Sequence, residues 1–371
     1  MKSRAAVLWG VGQDWKVEDI DIDEPGPGEV IVKTKVAGMC HSDQHMVSGS
    51  LPMPHYPCIG GHEGSGEIAQ VGPGVTSVAP GDHISLSFIP SCGRCKWCVS
   101  GRQNLCDLGA YLMAPGMISD GRMAHRTGST DLGRMCQVGA FAEHMLVAES
   151  GVVKVEPDLP WHAVALVSCG VATGYGSSVH RAEVKPGDNV AVIGVGGIGI
   201  NAVQGAKLAG ATRIFAIDPV EFKREQAMAF GATHTFSSIA EAQGQVGAIT
   251  WGNMCDKVIV AVGDMTGDLI EPALNLTSKG GTCVLTAIGD MMDDKATLNT
   301  FMFSMMNKEL KGSLFGSGNP RFDIPALLSM YREGQLKLDE LVTKRYTLDQ
   351  INEGFDDMLS GKNIRGIIEF D

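Results

Sequence analysis

Apolar and polar residues alternate in short bursts through the first forty positions. The run Glu29-Val30-Ile31-Val32-Lys33-Thr34-Lys35-Val36 predicts a strand that leads directly to Cys40, and Pro25-Gly26-Pro27-Gly28 ahead of it predicts a turn between strands. Residues 67–72, 83–88 and 141–147 read as further strands between glycine and proline breaks. The stretch 107–140 shows no period and predicts an irregular surface loop. From about residue 171 the texture changes. Asn189-Val190-Ala191-Val192-Ile193 is continuously apolar, as expected of a strand buried on both faces of a parallel sheet. A glycine-rich turn, a helix over 200–209 stopped by Gly210 and a second apolar strand over 213–217 follow. A helix over 221–230 and strands over 257–262, 282–287 and near 312–315 continue the alternation, which predicts a doubly wound parallel sheet. Beyond it come a helix over 324–333, a capping box Thr347-Leu348-Asp349-Gln350 opening another, and a closing strand over 365–370. That tail is too small to fold alone and is expected to pack back on the first part. The pattern therefore divides the chain into a β-rich part over 1–171, an α/β part over 172–315 and a return segment over 316–371.

Composition narrows the partners. At 371 residues two domains are the default, and 44% hydrophobic with 19% charged residues is the balance of an ordinary soluble protein. A formal charge of −12 argues against nucleic acid or an anionic membrane surface. No run reaches membrane-spanning length. The start, Met1 to Gly10, lacks a small-residue cleavage site and reads as a first strand, so a cytoplasmic protein with ten reduced cysteines is expected.

Under reducing conditions clustered cysteines point to metal. Cys92, Cys95, Cys98 and Cys106 place four thiolates within fifteen residues, enough to close a tetrahedral zinc shell of the structural kind. An iron–sulfur cluster is the rival, but C-x2-C-x2-C-x7-C departs from the ferredoxin run, and Asp107 stands where that run has proline. A redox CxxC fits three overlapping cysteine pairs poorly. A second set is dispersed. Cys40 and His62 suit zinc better than magnesium or calcium, and Cys169 offers a third ligand. Asp43 and Glu63 are placed to orient and tune such a metal. A buried structural cysteine and a satisfied core histidine would account for the same residues. The run Gly194-Val195-Gly196-Gly197-Ile198-Gly199 follows a strand and opens a helix, and Asp218 ends the next strand, which is the context a dinucleotide fingerprint requires. The helix N-terminus offers N–H groups to the phosphates, and Asp218 is expected to bind the ribose hydroxyls and favour NAD over NADP.

Together these motifs resemble the zinc-dependent medium-chain alcohol dehydrogenases, in order and over essentially the whole chain. The resemblance rests on Cys40-His41-Ser42-Asp43, Gly61-His62-Glu63, the lobe over 92–106, Cys169 in Cys-Gly-Val-Ala-Thr-Gly-Tyr-Gly, the glycine fingerprint with Asp218, and Arg365. It implies an α/β protein with a GroES-like β-rich catalytic domain and a Rossmann domain. It implies two zinc ions per chain, one catalytic on Cys40, His62 and Cys169 with Glu63 beside it, and one structural in the lobe. Ser42 and His45 fall at the proton relay, which runs through the nicotinamide ribose toward solvent. His41 and Arg365 fall at pyrophosphate contacts and Lys223 near the adenosine ribose. The implied reaction interconverts alcohols and aldehydes by hydride transfer with NAD. In the glutathione-dependent formaldehyde branch an acid and an arginine stand where this chain has Leu51 and Ala110, so a plain primary alcohol is favoured over a thiol conjugate. Phe88, Tyr111, Met135 and Cys136 are the expected pocket walls. The stretch from Asp218 to Lys223 resembles actinobacterial members that retain NAD and use an external electron acceptor. An NAD-binding protein without chemistry is the rival of another class, against which the intact site argues. A homo-oligomer, dimer or tetramer, is expected. Cys58, Cys136, Cys255 and Cys283 receive no role beyond that of small buried hydrophobes.

Overall fold

The strand leading to Cys40 is longer than its alternation suggests, spanning Glu29–Gly38, with Val30, Ile31 and Val32 all fully buried. The computed structural model describes residues 1–371. Their contacts divide into one unit of Met1–Cys169 with Asn319–Asp371 and a second of Gly170–Gly318.

In the first unit Glu29–Gly38 is the axis of a seven-stranded sheet. It pairs antiparallel with Glu63–Val71, with His144–Ala148 and with the closing strand Arg365–Glu369. The register sets Gly38 opposite both Glu63 and Ile367, so the flanking strands start side by side at the end that carries Cys40. The tail thus enters the same sheet as the N-terminal strands. A second, six-stranded sheet is built on Lys2–Leu8 and Lys16–Ile22. The two share a core that includes Val7, Ile20, Ile31, Ile59, Leu132 and Leu146, each worth about 1.5–3 kcal/mol when fully withdrawn from water.

The second unit is a parallel sheet. Counted along the unit, its six strands lie in the order 3-2-1-4-5-6: His234–Phe236, Arg213–Ile217, Asn189–Ile193, Cys255–Val260, Thr277–Leu285, Glu309–Gly312. The strand order reverses beside Asn189–Ile193, which places the glycine turn at the switch point where such sheets bind ligands.

Several expected boundaries move. The last strand of this sheet is Glu309–Gly312, and Phe315 sits in a short helical turn, Phe315–Ser317. The aperiodic stretch 107–140 contains the short strands His125–Thr127, Thr130–Asp131 and Gly133–Arg134, which widen the second sheet; two- and three-residue strands are too brief to show a period. A helix, His41–Ser48, begins at once after Cys40. Another, Gly170–Gly176, forms from a glycine-rich run of poor helix propensity because its glycines permit close packing. A Cβ on Gly174 would strike the carbonyl oxygen of Ile198.

Candidate active site and metal centres

Cys40 caps the His41–Ser48 helix from extended backbone, φ −133° and ψ 152°. Three residues on, Asp43 is fully buried and turns back. Its Oδ2 accepts from the Cys40 N–H (3.2 Å), its Oδ1 accepts from the Gly61 N–H (2.9 Å), and the same oxygen lies 3.4 Å from His62 Nδ1. One carboxylate therefore fixes the backbone beside both candidate ligands and the ring of the second. Gly61 has φ +88°, and a Cβ there would stand 2.7 Å from the Phe141 nitrogen, so the approach to His62 needs glycine. Cys169 arrives from the other side. Ser168 Oγ accepts from the Gly64 N–H (3.2 Å) and donates to the Ala165 carbonyl, tying this corner to the strand that Glu63 opens.

The outcome is one buried cluster. Donor atoms of Cys40, His62, Glu63 and Cys169 all lie within 4.8 Å of one another. Glu63 Oε2 accepts from the Arg365 guanidinium, while Oε1 is buried with no hydrogen-bond partner. Gly38 makes room for this pair, since a Cβ there would meet both side chains. Neither Gly38 nor Ser168 stands out in the sequence, although a glycine inside a buried strand signals close approach. The buried groups of the cluster shift one another's titration. A hydrogen bond with Cys169 holds the Cys40 thiol well below its usual pKa, against burial, and the Cys169 thiol is pushed well up by the same pairing. Burial alone would discharge His62, but Asp43 and Cys40 hold its pKa well above the usual value. Burial raises Glu63 to about 7, with Arg365 opposing. Two sulfurs, an imidazole and an orphan carboxylate oxygen fit zinc.

The lobe passes a stricter fit test. Tetrahedral Zn–S bonds of ~2.3 Å demand sulfur–sulfur spacings of about 3.8 Å. Cys92 and Cys98 are 3.9 Å apart and Cys95 and Cys106 4.0 Å, with all four sulfurs within 4.8 Å. Backbone N–H groups already point at sulfur, Cys95 to Cys92 (3.4 Å), Cys98 to Cys95 (3.5 Å) and Cys92 to Cys106 (3.4 Å). N–H donors from Asp107 and Cys98 lower the Cys95 thiol to about 6, while burial raises Cys106 to about 12. All ten cysteines are free, and Cys58, Cys255 and Cys283 are fully buried.

In the second unit Gly194 has φ +81°, and a Cβ on Gly199 would collide with the Gly194 carbonyl oxygen. Gly196 is open apart from Lys223 Nζ, 4.0 Å from where its Cβ would be, and Gly197 offers its carbonyl to Asn201 Nδ2 (2.8 Å). Asp218 accepts from the Val195 N–H (3.0 Å) and the Val220 N–H (2.9 Å), which sets its carboxylate against the glycine turn. The turn is a cradle that a side chain would fill, and it fits a dinucleotide.

Other expected residues divide. Ser42 Oγ is 3.7 Å from Cys40 Sγ, and His41 is half-buried at the start of the helix. Phe88 stands edge-on to His62, ring centroids 5.5 Å apart, and Cys136 lies in the field of His62, Asp43 and Cys40. Arg365 is 4% exposed, and its Nη2 donates to Glu63. Two expectations need correction. His45 is 3% exposed and not at a solvent edge, because it falls on the inward side of its short helix. Tyr111 points outward at 52% exposure and Met135 is core, leaving Phe88 and Cys136 as walls beside the cluster.

Comparison with known proteins agrees with this geometry. Residues 26–157 match the alcohol dehydrogenase GroES-like domain and residues 197–333 the zinc-binding dehydrogenase model. Alcohol dehydrogenase B of Mycobacterium tuberculosis is 49% identical over 370 residues, covering 100% of this chain and 99% of its own. The chain belongs to the zinc-dependent medium-chain alcohol dehydrogenases. The NDMA-dependent alcohol dehydrogenase of Amycolatopsis methanolica is 48% identical over 368 residues, 99% of each chain. The crystal structure of benzyl alcohol dehydrogenase from Acinetobacter calcoaceticus superposes with a TM-score of 0.92 at 28% identity, covering 100% of both chains. Like other members of the family the protein is an oxidoreductase that uses zinc and a nicotinamide cofactor. No helix is long and apolar enough to cross a membrane.

Proposed function

We propose that this medium-chain alcohol dehydrogenase oxidises unbranched or aromatic primary alcohols to aldehydes, and reduces the aldehydes, with NAD and two zinc ions per chain. The observation that carries the reading is the buried cluster of Cys40, His62, Glu63 and Cys169 with Ser42 Oγ beside the Cys40 sulfur. When bound, zinc would supply a Lewis acid that lowers the pKa of an alcohol, and a nicotinamide would supply the hydride acceptor. Cys40, His62 and Cys169 would hold that ion, and Asp43 keeps the ring and backbone of the cluster in place. Glu63, neutralised on one side by Arg365, leaves one oxygen facing the set. Ser42 takes the alcohol proton, and His45 receives it in turn. Gly194, Gly196, Gly197 and Gly199 cradle the pyrophosphate, with His41 and Arg365 as further contacts to it and Lys223 near the adenosine ribose, and Asp218 selects NAD. Cys92, Cys95, Cys98 and Cys106 hold a structural ion that contributes folding energy.

Leu51 and Ala110 offer no charge to a thiol conjugate, which supports a plain alcohol over a formaldehyde–thiol adduct. The relative named for NDMA supports a second reading of the cofactor, as a nucleotide retained through turnover and reoxidised by an external acceptor. The protein acts in the cytoplasm, where its cysteines stay reduced. It works as a homo-oligomer, a reading supported by the edge strand Glu309–Gly312 together with the exposed Phe301, Met302 and Met305 of the same unit. The test is to follow primary alcohol oxidation with added NAD, and separately with NDMA and no added NAD, then to denature the protein and identify released nucleotide. Aldehyde formation in either arm, without added thiol, is the expected result. Turnover of formaldehyde only with a low-molecular-weight thiol would overturn the choice of substrate, and turnover with neither substrate would overturn the reaction.

A further inference from the structure

Phe88 and Cys136, both close to His62, line a narrow crevice together with the wall residues Ile118, Val138 and Val147. These wall residues come from three separate segments, and each lies next to an atom held by one buried pair, Arg134 and Gln137. Arg134 is 1% exposed and Gln137 7%. The Arg134 guanidinium makes three hydrogen bonds, all to neutral oxygens: Nη1 to the carbonyls of Gln137 and Leu146, both 3.0 Å, and Nη2 to Gln137 Oε1, 3.2 Å. Gln137 Oε1 also accepts from the Ile118 N–H (3.0 Å), and Nε2 faces the carbonyls of Tyr111, Ala114 and Gly116 at 3.1, 2.7 and 3.0 Å.

Burying a guanidinium without a carboxylate is an expensive way to join loops, and apolar packing of similar volume commonly does it as well or better. What the pair achieves is placement. Between its two members the backbone runs through left-handed Cys136 (φ 52°) and Gln137 itself (φ 62°), conformations that side-chain-bearing residues hold only when the surroundings enforce them. We propose that Arg134 and Gln137 form a buried clamp that locks segments 111–118, 134–138 and 144–148 together, and that they are positioning residues that set which alcohol chain fits beside Phe88. Ile118 is held by its own N–H, Cys136 lies between the clamp residues, Val138 follows one of them, and Val147 follows Leu146. A hydrophobic wall moved by the width of a methylene changes discrimination by ~10–200-fold. The inference rests on the alcohol-oxidising reading for its kinetic consequence but not for its geometry.

The test uses the full-length, zinc-loaded protein with Gln137→Met and Arg134→Met, and Gln137→Glu, which keeps Oε1 but sets a carboxylate oxygen against three carbonyls. Amide hydrogen exchange of peptides over 111–118 and 134–138 is measured beside kcat/KM for unbranched primary alcohols from ethanol to octanol. The clamp predicts at least ~10-fold faster exchange over 111–118 in Gln137→Met. It also predicts at least a ~10-fold change in the ratio of kcat/KM for 1-hexanol to that for ethanol, with zinc per chain unchanged and Gln137→Glu affected at least as strongly as Gln137→Met. Exchange at parent rates, or the same fractional loss of kcat/KM on every alcohol, would overturn it. If Arg134→Met does not fold, the Gln137 variants decide. If the parent oxidises no alcohol the functional reading fails, and the exchange measurement still decides the clamp.

Discussion

Asp43→Asn is the most informative single change, because one buried carboxylate serves three groups. In the parent it takes the Cys40 and Gly61 N–H groups at 3.2 and 2.9 Å and lies 3.4 Å from His62 Nδ1. Asparagine keeps the shape but replaces one acceptor by an NH₂, which then opposes a backbone N–H inside a dry site. One buried donor loses its partner, at a cost of about 1–3 kcal/mol, and His62 loses the anion behind it. Removing a partner of this kind weakens metal binding ~10–100-fold, equivalent to about 1.4–2.7 kcal/mol. The assay is equilibrium zinc binding by metal-stripped protein in a series of buffered free zinc concentrations, with ions per chain counted after each step. The lobe cysteines lie outside this network, and zinc binding there serves as the internal reference. The catalytic-site half-saturation is expected to move to ~10–100-fold higher free zinc while the lobe curve stays in place. If both curves match the parent within a factor of two, Asp43 does not organise a metal site and the reading of the cluster is wrong. If both move together, the variant has merely loosened the fold.

In Cys95→Ala the lobe ion is expected to be lost and Tm to drop by on the order of 10 °C, with the other ion retained; zinc analysis and calorimetry check this. Asp218→Gly is expected to narrow the preference for NAD over NADP by at least ~10-fold in kcat/KM or nucleotide affinity, because the carboxylate no longer repels a 2′-phosphate. Ser42→Ala is expected to lower kcat by ~10²-fold at unchanged zinc content, and His45→Gln by less, with the larger effect at the acid end of the pH–rate profile. Asp357 is held at about 2, below its ordinary 3.8, first by a hydrogen bond from Lys344 and then by Tyr346 and Lys362. Its stabilisation is nearly complete above pH ~4 and disappears as pH falls through about 2, so the gap in urea midpoint between parent and Asp357→Asn should be full at pH 7 and roughly halved at pH 3.

What the sequence made legible follows from how local each signal is. The lobe could be read directly, because four thiols within one loop have few other uses and the backbone already aims N–H groups at them. The parallel sheet was legible because strands buried on both faces are continuous apolar runs, and the glycine turn lies where its context placed it. The cluster of Cys40, His62 and Cys169 was assembled from distant residues by resemblance, and pairing of Glu29–Gly38 with Glu63–Val71 is what brings the first two together. The pairing of Arg365 with Glu63 was not legible, because the two lie 302 positions apart and share no local pattern. His45 and Tyr111 were assigned by position in a motif, which does not report which way a side chain faces. Arg134 and Gln137 gave no signal, since a buried arginine that satisfies only carbonyls cannot be told from a surface one by its neighbours in the chain.

The central claim is that a catalytic ion sits on Cys40, His62 and Cys169 in a protein that oxidises alcohols. Anomalous diffraction recorded on both sides of the zinc absorption edge, from crystals of protein shown to be active, tests it most directly. The expected map has two peaks per chain, one bounded by Cys40 Sγ, the His62 ring and Cys169 Sγ, the other at the centre of the four lobe sulfurs. An active protein whose only zinc peak lies in the lobe would contradict the account.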